Sequence, residues 1–402
     1  MKYDVNIVVA GAGVVGLTLA ALLKRSAQGA NIGLTVVDAA PRPVFDANQD
    51  VGLRVSAISS GSAEILALTN AWKSIIRERV CAYSDMQVWD SSAAVEGPET
   101  LRFSASEFAL PQLGFIAENQ LLQEALLKAL GERQQGVEFS TTIRAVDPVG
   151  ERFAVTLSDG QKIAADLLVG ADGGRSFIRK QSGIVVDGWA YEQAAFVTHL
   201  NAEKSHQHTA WQRFLPGGPL ALLPLADGRV SVVWSTSPDE AAGAKSLSDG
   251  ELGDKLTRVS DYVLGRLTPA GPRGSFPLAA RYAKQYVLPG LALIGDAAHS
   301  VHPLAGQGAN LGIADADCLA GVIVSAMAAN EDIGDFRVLR RYERARKGAN
   351  IAMLRFVDGL NRLFGSDSSA ITALRTTGMR LFNRSGPLRE HAVRVALGIN
   401  DG

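Results

Sequence analysis

The hexapeptide Gly11-Ala12-Gly13-Val14-Val15-Gly16 has the residue types and spacing to hold a pyrophosphate. Its first glycine permits a tight strand-to-helix turn, its second lets backbone approach the phosphates, and its third lets helix and strand pack closely. The helix start beyond it offers unpaired N–H groups and a partial positive charge. Asp38 follows at the separation expected of a ribose-binding acid. A carboxylate there, rather than an arginine, suits the unphosphorylated adenosine ribose of FAD or NAD. A GxGxxG run alone also fits a merely tight loop; strand, helix, strand and acid in that order favour dinucleotide binding.

Two later stretches could complete such a site. Gly295-Asp296-Ala297-Ala298-His299 follows an apolar run at 291–294. Asp296 could hold cofactor hydroxyls from a strand end or simply cap the next turn, and both readings stand. Pro303-Leu304-Ala305-Gly306-Gln307-Gly308-Ala309-Asn310-Leu311-Gly312 opens a helix. Its small residues allow close backbone approach, and its N–H donors would suit the negative edge of a reduced flavin. Three glycines and an asparagine are costly at an ordinary helix start.

The elements that must position these groups form a pattern. Residues 4–10 read as a buried parallel strand, 17–25 as a helix and 34–37 as a second strand, a βαβ unit. The nearly uncharged run from Val5 to Leu23, with Lys2 in front, imitates a signal peptide or membrane span. The glycines inside it and the absence of a cleavage pattern favour a buried strand and helix. A helix is expected over 62–68, a polar irregular region to about Pro111, and a helix over 118–130. Strands are expected over 137–146, 153–157 and 166–169. From 188 to 277, alternating strands (195–200, 221–224, 230–235) joined by Gly/Pro turns suggest an antiparallel sheet. After 292 come a buried strand, a glycine loop and a long apolar helix; the last sixty or so residues read as helical.

The implied fold class is α/β. A Rossmann-like FAD-binding domain of the glutathione-reductase type is interrupted by a mostly antiparallel β-sheet substrate domain and followed by a helical tail. The expected boundaries are 1–75, 114–186 and 281–335 for the cofactor domain, 76–113 for a substrate-side insertion, 187–280 for the sheet domain and 336–402 for the tail. Lys plus Arg (40) balances Asp plus Glu (41), so no basic field draws the chain to nucleic acid. Two distant cysteines, Cys81 and Cys318, argue against a disulfide framework and fit a reducing cytoplasm. His206 and His208 have no third ligand nearby, so no metal is expected.

With Gly170-Ala171-Asp172-Gly173-Gly174-Arg175-Ser176 and Arg179, these motifs resemble those of class A flavoprotein aromatic hydroxylases, the para-hydroxybenzoate hydroxylase-like enzymes. Within that group the chain is most similar to the ubiquinone-biosynthesis hydroxylases. The similarity runs through LRVSAIS (53–59), CAYSDMQVWD (81–90), GFIAENQLLQEAL (114–126) and FLPGGPLALLPLADGRVSVVW (214–234). It continues in LAGQGANLGIADADCLA (304–320), LFGSDSSAITALRTTGMRLFN (363–383) and ALGIN (396–400). One departure is the end at Asp401-Gly402, where members often continue for a few residues.

The resemblance implies FAD as cofactor, NAD(P)H as reductant, and O2 attacking an electron-rich phenol through a flavin C(4a)-hydroperoxide. It implies Arg54 near the pyrophosphate, Gln120 and Asp296 near the ribityl chain, and Asp172 and Arg175 supporting cofactor and NAD(P)H. Gly306 to Leu311 would meet the pyrimidine side of the flavin. Residue chemistry alone would make Arg54 and Gln120 surface groups and Asp172 a turn cap. No acid–base residue declares itself; His299, His302 and Pro303 are candidates for tuning the site by location, with a structural hydrogen bond the simpler role for each histidine. Arg213 could hold a substrate carboxylate, and Leu222 and Pro224 belong to an apolar segment suited to a ring or prenyl tail. An ordinary sheet core explains most of that segment equally well.

No transmembrane helix is apparent, so a polyprenyl substrate would be met at a membrane surface or through other quinone-biosynthesis proteins. Arg340, Arg341, Arg344, Arg346 and Lys347 would then face anionic lipid, a partner or only solvent. Three functions stay open: hydroxylase of a prenylated phenol, hydroxylase of a small aromatic acid, and an FAD-bearing assembly subunit without turnover. A cytoplasmic location, peripheral at the membrane, fits the first, and a homo-oligomer is left open.

Overall fold

The computed structural model describes residues 5–26, 32–131, 136–365 and 369–399. Lys2 and Asp4, part of the 363–383 motif, Asn400 and the 401–402 end lie outside that set. β1 (Val5–Ala10), α1 (Val14–Ser26) and β2 (Ile32–Val37) form the βαβ unit at the start of the chain. β1 lies mid-sheet, parallel to β2 on one side and to the strand Leu167–Gly170 on the other. Leu291–Leu293 extends the parallel order, an antiparallel strand Val287–Leu288 closes one edge, and Val137–Glu138 closes the other. Ile7, Val8 and Val9 are fully buried, which explains why β1 lacks alternation: helices cover both faces of a parallel sheet.

The membrane-like composition of 5–23 has the same cause. Leu17, Leu19, Ala20 and Leu23 of α1 are almost wholly buried, between the sheet and the long helix Gln307–Ala328. That helix is itself long and apolar enough to cross a membrane. Its Ile313, Ala316, Leu319 and Ile323 are fully buried in the same core, where all-round apolar character serves equally well.

A nine-stranded, mostly antiparallel sheet forms the second layer. Its centre is the long strand Val186–Ala202, flanked by Gly274–Ala283 and Val230–Thr236; Gly218–Pro224 and Thr209–Leu215 follow. Two helices absent from the sequence expectation, Pro238–Ser246 and Asp249–Val259, cover one face, where Leu252 and Leu256 of the second pack with Phe196, Leu222 and Val232 of the sheet. The opposite face looks toward the cofactor domain.

Three further expectations change. The region from the 62–68 helix to Pro111, expected to be irregular, contains strands Cys81–Tyr83, Asp85–Asp90 and Leu101–Ser104. The last two join the edge of the large sheet, with Asp85–Asp90 parallel to Thr209–Leu215. The single strand expected over 137–146 is two, because Ser140 adopts a left-handed φ of 54° and turns the chain from the parallel sheet into a three-stranded meander. α1 begins earlier than its apolar periodicity, at Val14, inside the glycine motif.

The C-terminal helices Phe336–Phe364, Ser369–Asn383 and Pro387–Leu397 return to the body. Arg375 pairs with Asp90 at 2.8 Å, both side chains being buried, and Phe214 stacks on Phe364.

Candidate active site

A cavity of about 730 Å3 lies between the glycine loops and the large sheet, within the usual range for a bulky organic ligand. Gly13, Val14 and Val15 at the start of α1 line one part of it. Gly11 turns with φ +106°, and a Cβ there would sit 2.3 Å from the Ala171 carbonyl oxygen. A Cβ on Gly16 would fall 2.1 Å from the Gly11 oxygen, whereas one on Gly13 would meet no protein atom within 4 Å. Two glycines therefore serve packing, and the third leaves space for a ligand. Asp38 ends β2 outside the cavity lining; its carboxylate accepts the Ala12 N–H at 2.6 Å and the Ala40 N–H at 2.8 Å.

The second helix start faces the same cavity. Gly306 (φ +62°) precedes Gln307–Ala328 without a side-chain cap, leaving the first-turn N–H groups for a ligand. Pro303, Gly306, Gly308 and Ala309 line the cavity, and Gly308, like Gly13, has open space at its Cβ position. Asn310 braces this start: it accepts the Ser59 N–H at 3.0 Å and donates to the carbonyls of Ala57 and Gly306. Gln307 donates to the Ala396 carbonyl, and the Leu311 carbonyl accepts from Arg346. These three residues position the helix start and do not line the cavity.

Asp296 opens into the cavity beside Gly295, which turns with φ +57°. Surrounding protein pushes its carboxyl above the ordinary range, while His299 and Arg54 pull the other way. His299 itself is buried and donates to Asp315 at 2.5 Å. Asp315 also accepts the Gly295 N–H and bonds from Arg346 and Asn350. Burial alone would raise the Asp315 carboxyl, but His299, Arg346 and Asn350 together hold it below its usual value. His299 thus anchors the turn that presents Asp296 and takes no place in the cavity. His302 is equally buried, 3.2 Å from Gln193; burial pushes its pKa down to about 4, so it is neutral at physiological pH.

Arg54 and Gln120 are both exposed toward the cavity. Glu118 positions the Arg54 loop by accepting the Gly52 N–H at 2.6 Å and pairing with Arg79 at 2.6 Å. Asp172 points elsewhere: it caps the helix Phe177–Gln181 by accepting from Phe177 and Ile178, while its neighbours Ala171 and Gly173 line the cavity. Arg175 is exposed and has no polar partner among the described residues. Arg179 ties the Asp-Gly loop to the Asp296 turn through the Gly174 and Ala297 carbonyls, 2.8 Å each.

The three substrate candidates are displaced by strand parity and by pairing. Arg213 points to the helix-covered side, where it donates to the Val259 carbonyl and faces Asp261. Leu222 is fully buried in that same layer, and Pro224 shares its parity. Leu223, one of the leucines of the apolar segment expected to suit a ring or prenyl tail, does face the cavity, as do Ala221, Gln212, Tyr83 and Met86, which the sequence did not mark. Burial pushes the Tyr83 phenol up to about 12. Gln123 was also missed; it lies one helical turn beyond Gln120 and donates to the Ala12 carbonyl at 2.9 Å. That i, i+3 spacing was its available signal.

Paired helix starts with open glycines, a carboxylate between them and an apolar sheet beyond define a flavoprotein with FAD as its cofactor. The chain belongs to the FAD binding domain family, whose model matches residues 3–357. It is 34% identical over 395 residues to the 3-demethoxyubiquinol 3-hydroxylase of Escherichia coli, covering 98% of both chains. It is 35% identical to the ubiquinone hydroxylase UbiL of Rhodospirillum rubrum (98% of this chain, 89% of that one). Among solved structures, Pseudomonas aeruginosa PqsL, a probable FAD-dependent monooxygenase, shares the fold with TM-score 0.75 at 22% identity, over 93% of this chain and 99% of that one. Klebsiella pneumoniae HpxO, solved with FAD and uric acid, does so with TM-score 0.77 at 18% identity, over 100% and 99%.

Proposed function

We propose that this chain is an FAD-dependent monooxygenase that hydroxylates the ring of a polyprenylated phenol in ubiquinone biosynthesis, using NAD(P)H and O2. The observation that carries the reading is the division of the cavity. Glycine loops and helix starts suited to a nucleotide form one side, and an uncharged sheet face carrying Met86, Ala221, Leu223 and Val233 forms the other. The E. coli and R. rubrum relatives, named for hydroxylation in the ubiquinone series, support the substrate class.

Bound FAD supplies the redox chemistry, passing reducing equivalents from NAD(P)H to O2. The protein supplies position and shelter. Backbone from Gly13 to Val15 would meet the pyrophosphate, with Arg54 near it, and Asp38 would serve the adenosine ribose. Asp296 and Gln120 would bind ribityl hydroxyls. The N–H groups of Gly308 and Ala309 would meet the electron-rich pyrimidine edge, where negative charge develops on reduction. Apolar walls keep bulk water from the reacting oxygen. In this scheme 1–75, 114–186 and 281–335 hold the cofactor, 76–113 and 187–280 hold the ring, and 336–402 packs the two together. A prenyl tail partitions into lipid, so the substrate is met at a membrane surface or through a partner of the same pathway.

A small aromatic acid fits less well. Arg213 faces away, Arg54 lies within electrostatic range of Asp296 on the cofactor side, and no other lining residue among the described residues is cationic. A carboxylate on the sheet side would be desolvated without a partner, at a cost of several kcal/mol. The test is O2 consumption by the FAD-loaded enzyme with NAD(P)H. A geranylated phenol is expected to raise the rate about tenfold or more, a 1.4 kcal/mol effect, and 4-hydroxybenzoate to leave it near its basal level. Equal or stronger stimulation by the acid would overturn the proposal.

A further inference from the structure

We infer that Gln212 holds the ring oxygen of the substrate and thereby decides which ring carbon faces the flavin; this rests on the phenol-hydroxylase reading above. Gln212 stands mid-strand in Thr209–Leu215 and is only 6% exposed, yet it lines the cavity. Its cross-strand neighbours are Val88 and Ala221, and Val233 stands beyond Ala221. Met86, Ala210 and Leu223 form the next row on the same face and also line the cavity. In the middle of this apolar surface sits a single amide.

The Gln212 side chain makes no hydrogen bond to protein among the described residues. Its strand neighbour Arg213, on the opposite face, donates to the Val259 carbonyl and faces Asp261, so the contrast follows the two sides of the sheet. Its amide opens to the cavity, so a ligand there is the partner this position can reach. The amide offers both a donor and an acceptor, so it can take a phenol hydroxyl in either sense. It carries no charge, which matches a neutral phenol and gives a carboxylate no counter-charge. Fixing one ring oxygen on a rigid strand while apolar neighbours grip the ring limits its rotation, and with it the carbon presented for hydroxylation.

The test uses FAD-loaded enzyme and two probes, 2-geranylphenol and geranylbenzene, with binding read from the perturbed flavin spectrum. Gln212→Met keeps side-chain length and removes both polar groups. It is expected to bind geranylbenzene as the wild type does and to lower the preference for the phenol by about tenfold. The variant is also expected to release more hydrogen peroxide per NAD(P)H consumed, because the ring is no longer held for attack. Should Gln212→Met lose FAD, Gln212→Leu carries the same comparison. A variant that keeps the wild-type preference overturns the role of Gln212 even where the wild type hydroxylates the phenol. A wild type that binds neither probe overturns the parent reading together with this one.

Discussion

Gly11, Gly13 and Gly16 share a residue type and answer to different neighbours. For Gly16 the constraint is the Gly11 carbonyl, so Gly16→Ala must part strand from helix and is expected to cost about 3 kcal/mol of stability. For Gly13 no protein atom lies where its Cβ would go, and the proposed constraint is the ligand. Gly13→Ala is expected to unfold in urea within about 1 kcal/mol of the wild type and to bind FAD at least tenfold more weakly, roughly 1.4 kcal/mol. Urea unfolding of the apoprotein and a flavin-fluorescence titration separate the two effects. Wild-type FAD affinity in Gly13→Ala would contradict the assignment of that loop. The spacing of the glycines was legible in the chain, as was the helix start at 306–312. The partner of His299 was not, because Asp315 lies sixteen residues away across a turn and part of a helix, and no local pattern links them.

At the scale of the element, one residue of strand parity decides what an apolar run does. Leu220 and Leu222 of Gly218–Pro224 pack under the covering helices, while Ala221 and Leu223 face the cavity. Leu222→Ala is expected to lose about 3 kcal/mol of stability through the void it leaves. Leu223→Ala is expected to keep its melting temperature and to weaken phenol binding. If Leu223→Ala proved the more destabilising by thermal unfolding, the sheet would be facing the other way. Sequence located this strand but could not assign its faces, because both are apolar and period-two alternation vanishes. The two helices over the sheet have a legible signal in the chain. Ser237-Pro238-Asp239-Glu240 and Ser248-Asp249-Gly250-Glu251 carry the capping pattern, and Ser248 and Glu251 form the reciprocal bonds it predicts. Alanine and glycine inside these helices weakened the apolar periodicity that would have marked them. The edge strands Asp85–Asp90 and Leu101–Ser104 were hidden for another reason: their partners lie more than a hundred residues downstream or across a polar loop.

Across the whole molecule, the C-terminal helices tie distant parts of the chain together. Arg375 reaches Asp90, Arg380 reaches Glu99 and Arg389 reaches Glu107, so the tail holds the strands that wall the ring side of the cavity. Gly61 and Gly398 approach so closely that a Cβ on Gly61 would fall 2.3 Å from the Gly398 oxygen. Such contacts, some spanning more than 280 residues, leave no mark in sequence periodicity; only the helical character of the tail was readable. The glycine loops and the sheet face share a cavity, and the proposed consequence is oxygen transfer from O2 to an uncharged phenol. Turnover of a geranylated phenol by the FAD-loaded enzyme under 18O2, followed by mass spectrometry of the product, tests this most directly. The account predicts one 18O atom in each hydroxylated product molecule. A product whose new oxygen comes from water, or NAD(P)H consumption with no hydroxylated product, would contradict it.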